Sequence, residues 1–369
     1  MIVNLTRRQF WLRLIAHIDR QLLLGICLLL LTSLLVLYSA DNASWDRPLG
    51  QMRNILVAFA CIWMVANLPL HYLMRTAVPV YVLGMLLLIA VALFGEISHG
   101  ARRWLNLGVM TIQPSELMKI GVPLMMAWYF ERHEATLTLK NYFVAALLLL
   151  MPVILIARQP DLGTSLLISA SGFYVLFLAG LSWRVMGGLL IAGIASAPVM
   201  WSMMHQYQRH RIMMLLDPSQ DALGTGYHTI QASIAVGSGG ILGKGYLNGT
   251  QTHLDFLPER TTDFIFAVYS EEFGLIGNII LLSLYAFVIW RGFVITSHAS
   301  TYFTRLMAGS ITLTFATYAF VNMAMVSGIL PVVGVPLPLV SYGGTSMLTL
   351  LLGFGMLMSI ETHKKLVKT

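Results

Sequence analysis

Charged side chains are scarce in this chain. Of its 369 residues only 11% are Asp, Glu, Lys or Arg, whereas 57% are hydrophobic and the mean hydropathy is +0.76. A soluble globular domain carries about 25% charged residues, so the composition excludes an ordinary soluble enzyme and indicates a polytopic membrane protein. The isoelectric point near 9.5 is explained by basic loops on the cytoplasmic side of a membrane, and no nucleic-acid partner is expected.

Cysteines and motifs for metal or nucleotide binding are scarce as well. The two cysteines, Cys27 and Cys61, both fall in apolar runs, which predicts buried packing residues rather than a disulfide. The patterns CxxC, HExxH, the Walker loop and GxGxxG do not occur in a supporting context. The sequence therefore gives no reason to expect a zinc site or a nucleotide-binding fold.

Long apolar runs, in contrast, are abundant. A helix needs about 20 mostly apolar residues to cross the hydrocarbon core of a bilayer. The candidate spans are 21–40, 52–70, 77–95, 114–130, 142–157, 162–181, 185–204, 264–290, 306–328 and 344–361. We therefore predict an all-α polytopic membrane protein with about ten transmembrane helices, forming a single domain over residues 1–369. The excess of Lys and Arg on one side predicts that both termini lie in the cytoplasm.

The longest predicted loop, residues 205–263, joins the seventh and eighth helices on the outer side of the membrane. Unstructured loops of that length are uncommon unless they are functional. The stretch GTGYHTIQASIAVGSGGILGKG mixes apolar residues with glycines, which predicts a packed, partly re-entrant loop. Its glycine segment, residues 237–245, either cradles a phosphate with backbone N–H groups or forms tight turns.

Cations of the outer side are concentrated rather than spread evenly. Most of them stand in three segments, 96–119, 158–165 and 205–263. In the first segment, Glu116 and Lys119 are three residues apart and share one face of a helix. A lysine inside a membrane span indicates a functional site, so Arg103 and Lys119 are candidates to hold an anion together. The alternative is a helix-capping segment with a local ion pair.

Other segments offer basic, acidic or hydroxyl side chains. Arg211 stands in HQYQRHRIMMLLDP, which is either a site for a phosphate-bearing lipid head group or an interfacial anchor. Ser341 follows three prolines that resist a continuous helix, and it either presents its hydroxyl to an anion or belongs to a stiff capping turn. Asp161 is suited to cap the helix that follows it.

Three carboxylates mark the start of the eighth predicted helix. Asp263 lies at the boundary between loop and helix, where it serves either as the N-cap or as a functional carboxylate. Glu271 and Glu272 follow about 12 Å further along the helix. At least one of these two must face the interior of the bundle, because a charge exposed to lipid is expensive.

Four of these segments occur together in a recognisable order. QPSELMK (113–119), QPDLGTS (159–165), LPERTTDFIFAV (257–268) and LPLVSYGGTS (337–346) closely resemble the motifs of the SEDS family of peptidoglycan polymerases, named for shape, elongation, division and sporulation. The resemblance covers nearly the whole chain. The stretches QYQRHRIMMLLDP and GILPVVGVPLPLVSYGG resemble the rod-shape branch of the family more than its division branch, and a division or sporulation paralogue is the alternative.

The resemblance implies a glycosyltransferase of the bacterial inner membrane, active on the periplasmic side. Such proteins join lipid II units into glycan strands for cell elongation and rod shape. They work with a class B penicillin-binding protein that crosslinks the strands, and with other proteins of the elongation complex. The essential aspartate of the family corresponds to Asp263, and its basic residue in the QPSE helix corresponds to Lys119.

The predicted chemistry agrees with these residue types. Transfer of a sugar from an α-linked undecaprenyl diphosphate to the 4-hydroxyl of lipid II, with formation of a β-1,4 bond, inverts the anomeric centre. One general base and stabilisation of the leaving diphosphate are sufficient, and Asp263 is the candidate base. The candidate substrate-binding residues are Lys119, Arg103, Glu116, Arg211 and Ser341. No cofactor is certain, and a divalent cation, Mg²⁺ or Mn²⁺, is an alternative source of charge stabilisation.

The position of Asp263 raises a further expectation. A helix N-terminus and nearby cations lower the pKa of a carboxyl group, so we expect Asp263 to become an effective base only when a bound diphosphate raises its pKa.

Two alternative functions of a different class would use the same charged residues. One is transport of lipid II across the bilayer, and the other is a scaffold for the penicillin-binding partner without chemistry of its own.

Overall fold

The computed structural model describes residues 17–98, 101–106, 111–159, 161–204, 206–216, 225–253, 256–257 and 259–363. Within these ranges the helices are α1 (Arg20–Ala40), α2 (Asp46–Ala66), α3 (Leu70–Phe94), α4 (Pro114–His133), α5 (Leu139–Arg158), α6 (Leu162–Leu178), α7 (Trp183–Met203), α8 (Gln206–Leu216), α9 (Thr225–Ser238), α10 (Thr250–His253), α11 (Ile265–Ser297), α12 (Tyr302–Val326) and α13 (Gly344–Thr362). A short 3-10 helix, Glu134–Thr136, follows α4.

The prediction of an all-α membrane protein is confirmed. Seven of the described helices, α1, α2, α3, α5, α11, α12 and α13, are long and apolar enough to cross a membrane. The remaining three predicted spans coincide with α4, α6 and α7. Helix α12 lies centrally and packs against α4, α6, α11 and α13, so it contacts every helix that follows one of the four sequence motifs.

Local sequence explains several helix starts. Pro114 occupies the first turn of α4, and Glu116 lies in that turn, where a missing N–H and a negative charge are both tolerated. The side chain of Asp161 accepts a hydrogen bond from Thr164 N at 3.2 Å and caps α6 as predicted. The motifs 113–119 and 159–165 therefore begin helices at defined residues.

A small antiparallel sheet between α3 and α4 was not predicted. Its strands are β1 (Glu96–Ser98), β2 (Ala101–Asn106) and β3 (Thr111–Ile112), in the order β1–β2–β3. Strand β2 packs against α3 and α4. The polar segment before the QPSELMK motif is therefore ordered into strands where the sequence suggested a loop.

Helix α11 is not the continuous span that the sequence predicted for 264–290. Gly274 has φ 62° and ψ −158°, a backbone conformation that is essentially restricted to glycine. Ser270 Oγ donates to Asn278 Oδ1 at 3.0 Å, although a straight helix would separate residues eight apart by about 12 Å. The segment before Gly274 is therefore folded back against the segment after it.

The glycine segment of the long loop fills this break in α11. Leu275 N donates to Gly240 O at 2.9 Å, and Lys244 N donates to Glu271 O at 3.0 Å. The N–H group of Lys244 therefore binds a carbonyl group of the protein itself. This favours tight turns over a phosphate cradle as the role of the glycine segment. The packed loop that was predicted is confirmed for its described part, which contains α8, α9 and α10.

Glu271 and Glu272 are buried, as predicted, and both have partners. Glu271 Oε1 accepts hydrogen bonds from Lys244 Nζ at 2.7 Å and from Thr250 Oγ1 at 3.0 Å. Glu272 Oε1 accepts one from Ser39 Oγ on α1. These two carboxylates therefore hold the long loop and α1 around the break in α11.

The two cysteines are free, so the prediction that they form no disulfide is confirmed. Cys27, however, is exposed on the surface of α1, and Cys61 is half-buried. The prediction of burial was therefore wrong for Cys27. The reason is that α1 is apolar on all sides, because one face packs in the bundle and the opposite face suits lipid, so the sequence alone does not distinguish the two faces.

Candidate active site

Asp263 lies in the turn that immediately precedes α11. The residue at the N-cap position is Phe264, and no side chain caps the helix there, so the interpretation of Asp263 as a helix cap was wrong. Its backbone carbonyl accepts a hydrogen bond of 2.8 Å from Asn322 Nδ2 on α12. The same amide group donates to Val335 O at 2.7 Å. Asn322, fully buried, therefore ties the aspartate turn to the proline segment.

Ser341 fixes the other side of this turn. Its hydroxyl donates to Thr262 O at 2.5 Å and accepts from Leu337 N at 2.8 Å. Tyr342 N donates to Thr261 O at 2.9 Å. The hydroxyl of Ser341 is buried and engaged with backbone, so the structure places it as a support of the Asp263 turn. Of the two roles that the sequence left open for Ser341, the structure therefore favours the stiff turn over presentation of the hydroxyl to an anion.

Arg211 approaches the aspartate turn from helix α8. It lines a small cavity with Thr229 of α9 and with residues 330–332 of the proline segment. Its charge acts directly on the carboxyl group of Asp263. The structure therefore brings Arg211 and Asp263, which are 52 positions apart in the sequence, to one region.

The pKa of Asp263 is raised from its usual value near 3.8 to about 6. The main cause is burial, which disfavours the charged form, and repulsion by Glu259 adds to it, whereas Arg211 acts in the opposite direction. The sequence predicts a low pKa for Asp263 before substrate binding. That expectation was wrong because burial outweighs the nearby cation, and the aspartate is not at the helix N-cap.

Lys119 and Glu116 form the ion pair predicted from their spacing. Lys119 Nζ lies 2.6 Å from Glu116 Oε1, and both side chains are nearly buried. The ammonium group also lies 5.1 Å from the centre of the Tyr318 ring on α12, a distance typical of a cation–π interaction. Tyr318 and Asn322 are four residues apart on α12 and share one face, so this face connects Lys119 with Asp263.

The motif QPDLGTS joins the same region. Gln113 Nε2 donates to Asp161 Oδ2 at 3.3 Å, which links the start of α4 to the start of α6. A Cβ atom at Gly163 would lie only 2.7 Å from Val333 O, so only glycine permits this approach to the proline segment. All four motifs therefore meet around the second half of α12.

The remaining predicted residue, Arg103, lies on β2 and is half-buried. The structure thus gathers Asp263, Arg211, Ser341, Lys119 and Glu116 around α12, and places Arg103 on the adjoining strand.

Sequence reasoning missed Asn322 and Tyr318. Asn322 stands in YAFVNMAMV, where an amide interrupts an apolar membrane span. Polar residues in such spans are usually functional, so this signal was available. Tyr318 gave no comparable signal, because a tyrosine in a membrane helix is an ordinary packing residue.

The described residues contain no group of three His, Cys, Asp or Glu side chains that could hold a metal ion. Asp263 and Glu259 are the carboxylates that interact at the turn. Mg²⁺ is often bound by one or two carboxylates together with substrate phosphates. The residues present therefore fit a cation carried mainly by a diphosphate, and not a metal held by the protein alone.

Comparisons with known proteins agree with this arrangement. A family model described as a cell cycle protein, covering FtsW, RodA and SpoVE, matches residues 14–366. The chain is 50% identical to the peptidoglycan glycosyltransferase MrdB of Escherichia coli K12, over 100% of this chain and 99% of that protein. It is 37% identical to the probable peptidoglycan glycosyltransferase FtsW of Thiomicrospira cyclica, over 78% of this chain and 75% of that protein.

Solved structures show the same fold. One is a chain from a study of the structural coordination of polymerization and crosslinking by a peptidoglycan synthase complex. It has a TM-score of 0.81 and 30% identity, over 93% of this chain and 97% of that chain. The rod shape determining protein RodA of Thermus thermophilus has a TM-score of 0.71 and 27% identity, over 93% and 96%.

The family and the enzyme class predicted from the four motifs are confirmed by these relatives, and the higher identity to MrdB than to FtsW agrees with the predicted rod-shape branch. The chain belongs to the FtsW/RodA/SpoVE family of cell cycle proteins, the SEDS family.

Proposed function

We propose that this protein is a peptidoglycan glycosyltransferase that polymerises lipid II for cell elongation and rod shape, with Asp263 as the general base. Family membership and full-length identity to MrdB support the activity. The observation that supports the role of Asp263 is its carboxyl group, half-buried beside Arg211, with a pKa of about 6. A base is most effective when its pKa lies near the operating pH.

In the proposed reaction, the 4-hydroxyl of one lipid II attacks the anomeric carbon of a second lipid-linked sugar. Asp263 accepts the hydroxyl proton as the new C–O bond forms. The anomeric C–O bond to diphosphate breaks on the opposite face, which inverts the centre and releases undecaprenyl diphosphate. The proton then leaves Asp263 for solvent, and the base is regenerated.

The cations have separate parts in this proposal. Arg211 lies close enough to act on the charge of Asp263, so it is placed to offset charge that develops on the leaving diphosphate. Lys119, already paired with Glu116, and Arg103 on β2 stabilise the diphosphate of the second substrate molecule. If a divalent cation takes part, Asp263 and Glu259 are the carboxylates that would help to hold it, and it would supply further charge neutralisation.

The partner and the membrane side also belong to this proposal. One structural neighbour comes from a peptidoglycan synthase complex in which polymerization and crosslinking are coordinated, which supports a class B penicillin-binding protein as the crosslinking partner here. The protein lies in the bacterial inner membrane, with both termini in the cytoplasm and Asp263 reached from the periplasmic side.

Purified protein and its transpeptidase partner, with the crosslinking activity blocked, should convert fluorescent lipid II into long glycan strands. Asp263→Asn should abolish the product, since a general base typically contributes about 10²- to 10⁴-fold. Glu134→Gln, an exposed carboxylate far from the turn, is the matched control. Unchanged polymerisation by Asp263→Asn would remove the base assignment. Movement of lipid II across liposomes without polymer would favour a transporter, and neither activity would favour a scaffold.

A further inference from the structure

A cavity of about 430 Å³ opens at the end of the bundle opposite Asp263. It lies between the beginnings of α3 and α12 and the ends of α4 and α13, so four helices form its walls. Thr304 lines this cavity, whereas Asn322, 18 residues later on α12, binds the Asp263 turn. The two positions are therefore about 27 Å apart along the helix. The volume lies in the range of ligand pockets, about 300–1,000 Å³.

The polar part of the lining favours an anion. It consists of His71, His363, Glu131 and the hydroxyl side chains of residues 300–304. The first turn of α3, which also lines the cavity, has no side-chain cap, and uncapped helix N-termini attract anions. Glu131 Oε2 accepts a hydrogen bond of 2.6 Å from Phe303 N, so the start of α12 offsets the charge of this carboxylate.

Exposed arginines stand around the cavity. Arg75 is four residues after His71, and Arg305 is four residues after Thr301, so each shares a helix face with a lining residue. Arg132 lies in the last turn of α4, beside the lining residue at position 131. All three arginines are exposed. They therefore form a positive rim from three different helices.

Aromatic side chains place this rim at the boundary of the membrane. The guanidinium group of Arg132 lies 5.0 Å from the centre of the Trp128 ring, and that of Arg305 lies 5.1 Å from the centre of the Tyr302 ring. Trp and Tyr are enriched at the level of the lipid head groups. The exposed Glu134 also acts on Tyr302, and the three arginines outnumber it.

We propose that this cavity binds the head group of an anionic phospholipid, and that cardiolipin, with two phosphates in one head group, is the matching ligand. Basic pockets between transmembrane helices on the cytoplasmic side suit such head groups. The phosphates lie at Arg75 and Arg305, and the acyl chains follow the apolar surface of α3, where Val82, Leu83 and Leu86 are exposed. With both termini in the cytoplasm, this lipid belongs to the inner leaflet. The site is separate from the Asp263 turn.

The test titrates full-length protein in a neutral detergent with cardiolipin, and native mass spectrometry counts the bound lipids. One cardiolipin should bind more tightly than any other, and zwitterionic phosphatidylethanolamine should not displace it. Arg75→Gln and Arg305→Gln should each weaken this binding about fivefold, since a cation near a lipid surface contributes about 1 kcal/mol. The control is Arg184→Gln, because Arg184 is an exposed arginine of α7 outside the lining.

Glu131→Gln tests the sign of the charge that the cavity accepts. The amide keeps an acceptor for Phe303 N and removes a negative charge. Cardiolipin should therefore bind about twofold to fivefold more tightly, a change opposite in direction to that of the arginine variants. Unchanged or weaker binding of cardiolipin by Glu131→Gln would overturn an anion site at this place.

The position of the lipid is tested separately. Ser300→Trp narrows the cavity and should weaken binding, whereas Ser297→Trp, at an exposed position outside the lining, should not. A photoreactive cardiolipin should crosslink to the beginnings of α3 and α12 in the unmodified protein, which decides the matter even where a tryptophan variant fails to fold.

Several results would overturn the proposal. They are equal affinities of Arg75→Gln and Arg184→Gln for cardiolipin, equal binding of phosphatidylethanolamine, and crosslinks spread evenly over the helix ends. Displacement of cardiolipin by inorganic phosphate would assign the cavity to a soluble anion and would overturn it as well. None of these measurements uses lipid II, so they leave the role of Asp263 to its own test.

Discussion

The carboxyl group of Asp263 leads to a prediction about pH. Its pKa is about 6 in the free protein, and a general base acts only when it is deprotonated. The value of kcat/KM should therefore be level above about pH 7 and fall about tenfold per pH unit below about pH 6. Initial rates of lipid II polymerisation between about pH 4.5 and pH 8 will check this.

The variant Glu259→Gln tests the cause of that pKa. Glu259 repels the charged form of Asp263, so its neutralisation should move the acid limb of the profile to lower pH, by less than about one unit because exposed charges are screened. The amide retains the acceptor for Thr262 Oγ1, which lies 2.9 Å from Glu259 Oε2. Glu134→Gln should leave the limb in place, and a limb that moves to higher pH would contradict the prediction.

Ser341 gives a second prediction at the scale of single residues. Ser341→Ala removes a partner from both Thr262 O and Leu337 N, which should cost about 1–3 kcal/mol of stability and lower kcat, because the Asp263 turn loses its support. Ser359→Ala is the control, since its buried hydroxyl donates to Leu68 O at 2.6 Å in the same way. Both variants should lower the thermal midpoint, and only Ser341→Ala should lower kcat.

Individual side chains were predicted unevenly. The cap at Asp161 and the Lys119–Glu116 pair depend on neighbours three residues away, so the sequence contained them. The support given by Ser341 and Asn322 depends on contacts with Thr262 and Asp263, which lie 79 and 59 positions away, respectively. Local spacing carries no information about such contacts, and only the family resemblance pointed to Asp263.

At the scale of helices, the break in α11 decides where the site lies. Gly274→Ala should be strongly destabilising, by several kcal/mol, because its backbone conformation is restricted to glycine and a Cβ would lie 2.3 Å from Gly243 N. Gly193→Ala on α7 is the control, since a Cβ there meets nothing within 4 Å and alanine favours a helix. Thermal unfolding in detergent will separate them, and equal midpoints would contradict this account.

The helices themselves were predicted well, and the break was not. Ten apolar spans identify ten helices because the hydrocarbon core demands length and apolar composition. The stretch FIFAVYSEEFGLIGNIILL reads as one helix, because its only local signals are single glycines. The reversal is imposed by the glycine segment 237–245, whose backbone replaces hydrogen bonds that α11 gives up.

Across the whole molecule, one arginine joins the ends of three helices on the side opposite Asp263. Arg291 Nη2 lies 2.6 Å from Asp19 Oδ2, at the start of α1, and 3.3 Å from Glu361 Oε1, near the end of α13. Arg291→Met should lower stability by about 2 kcal/mol, since it leaves a nearly buried carboxylate without its partner. The stability of Arg291→Lys should lie between that of the unmodified protein and that of Arg291→Met.

The exposed Arg184 on α7 offers the control, because Arg184→Met should change the thermal midpoint little. The kcat of glycan synthesis should not change in Arg291→Met, since Arg291 is remote from the Asp263 turn. A large loss of kcat with an unchanged midpoint would contradict a purely structural role for Arg291.

The contact between Ser341 and Thr262 has a consequence for folding of the protein during its synthesis. Ser341 is made 79 residues after Thr262, and its neighbour Tyr342 completes the same turn. While the ribosome is still translating the last tenth of the chain, the aspartate has emerged but the segment that holds it has not. A nascent or prematurely terminated chain therefore lacks a formed active centre, and glycan synthesis begins only after the last helix has entered the membrane.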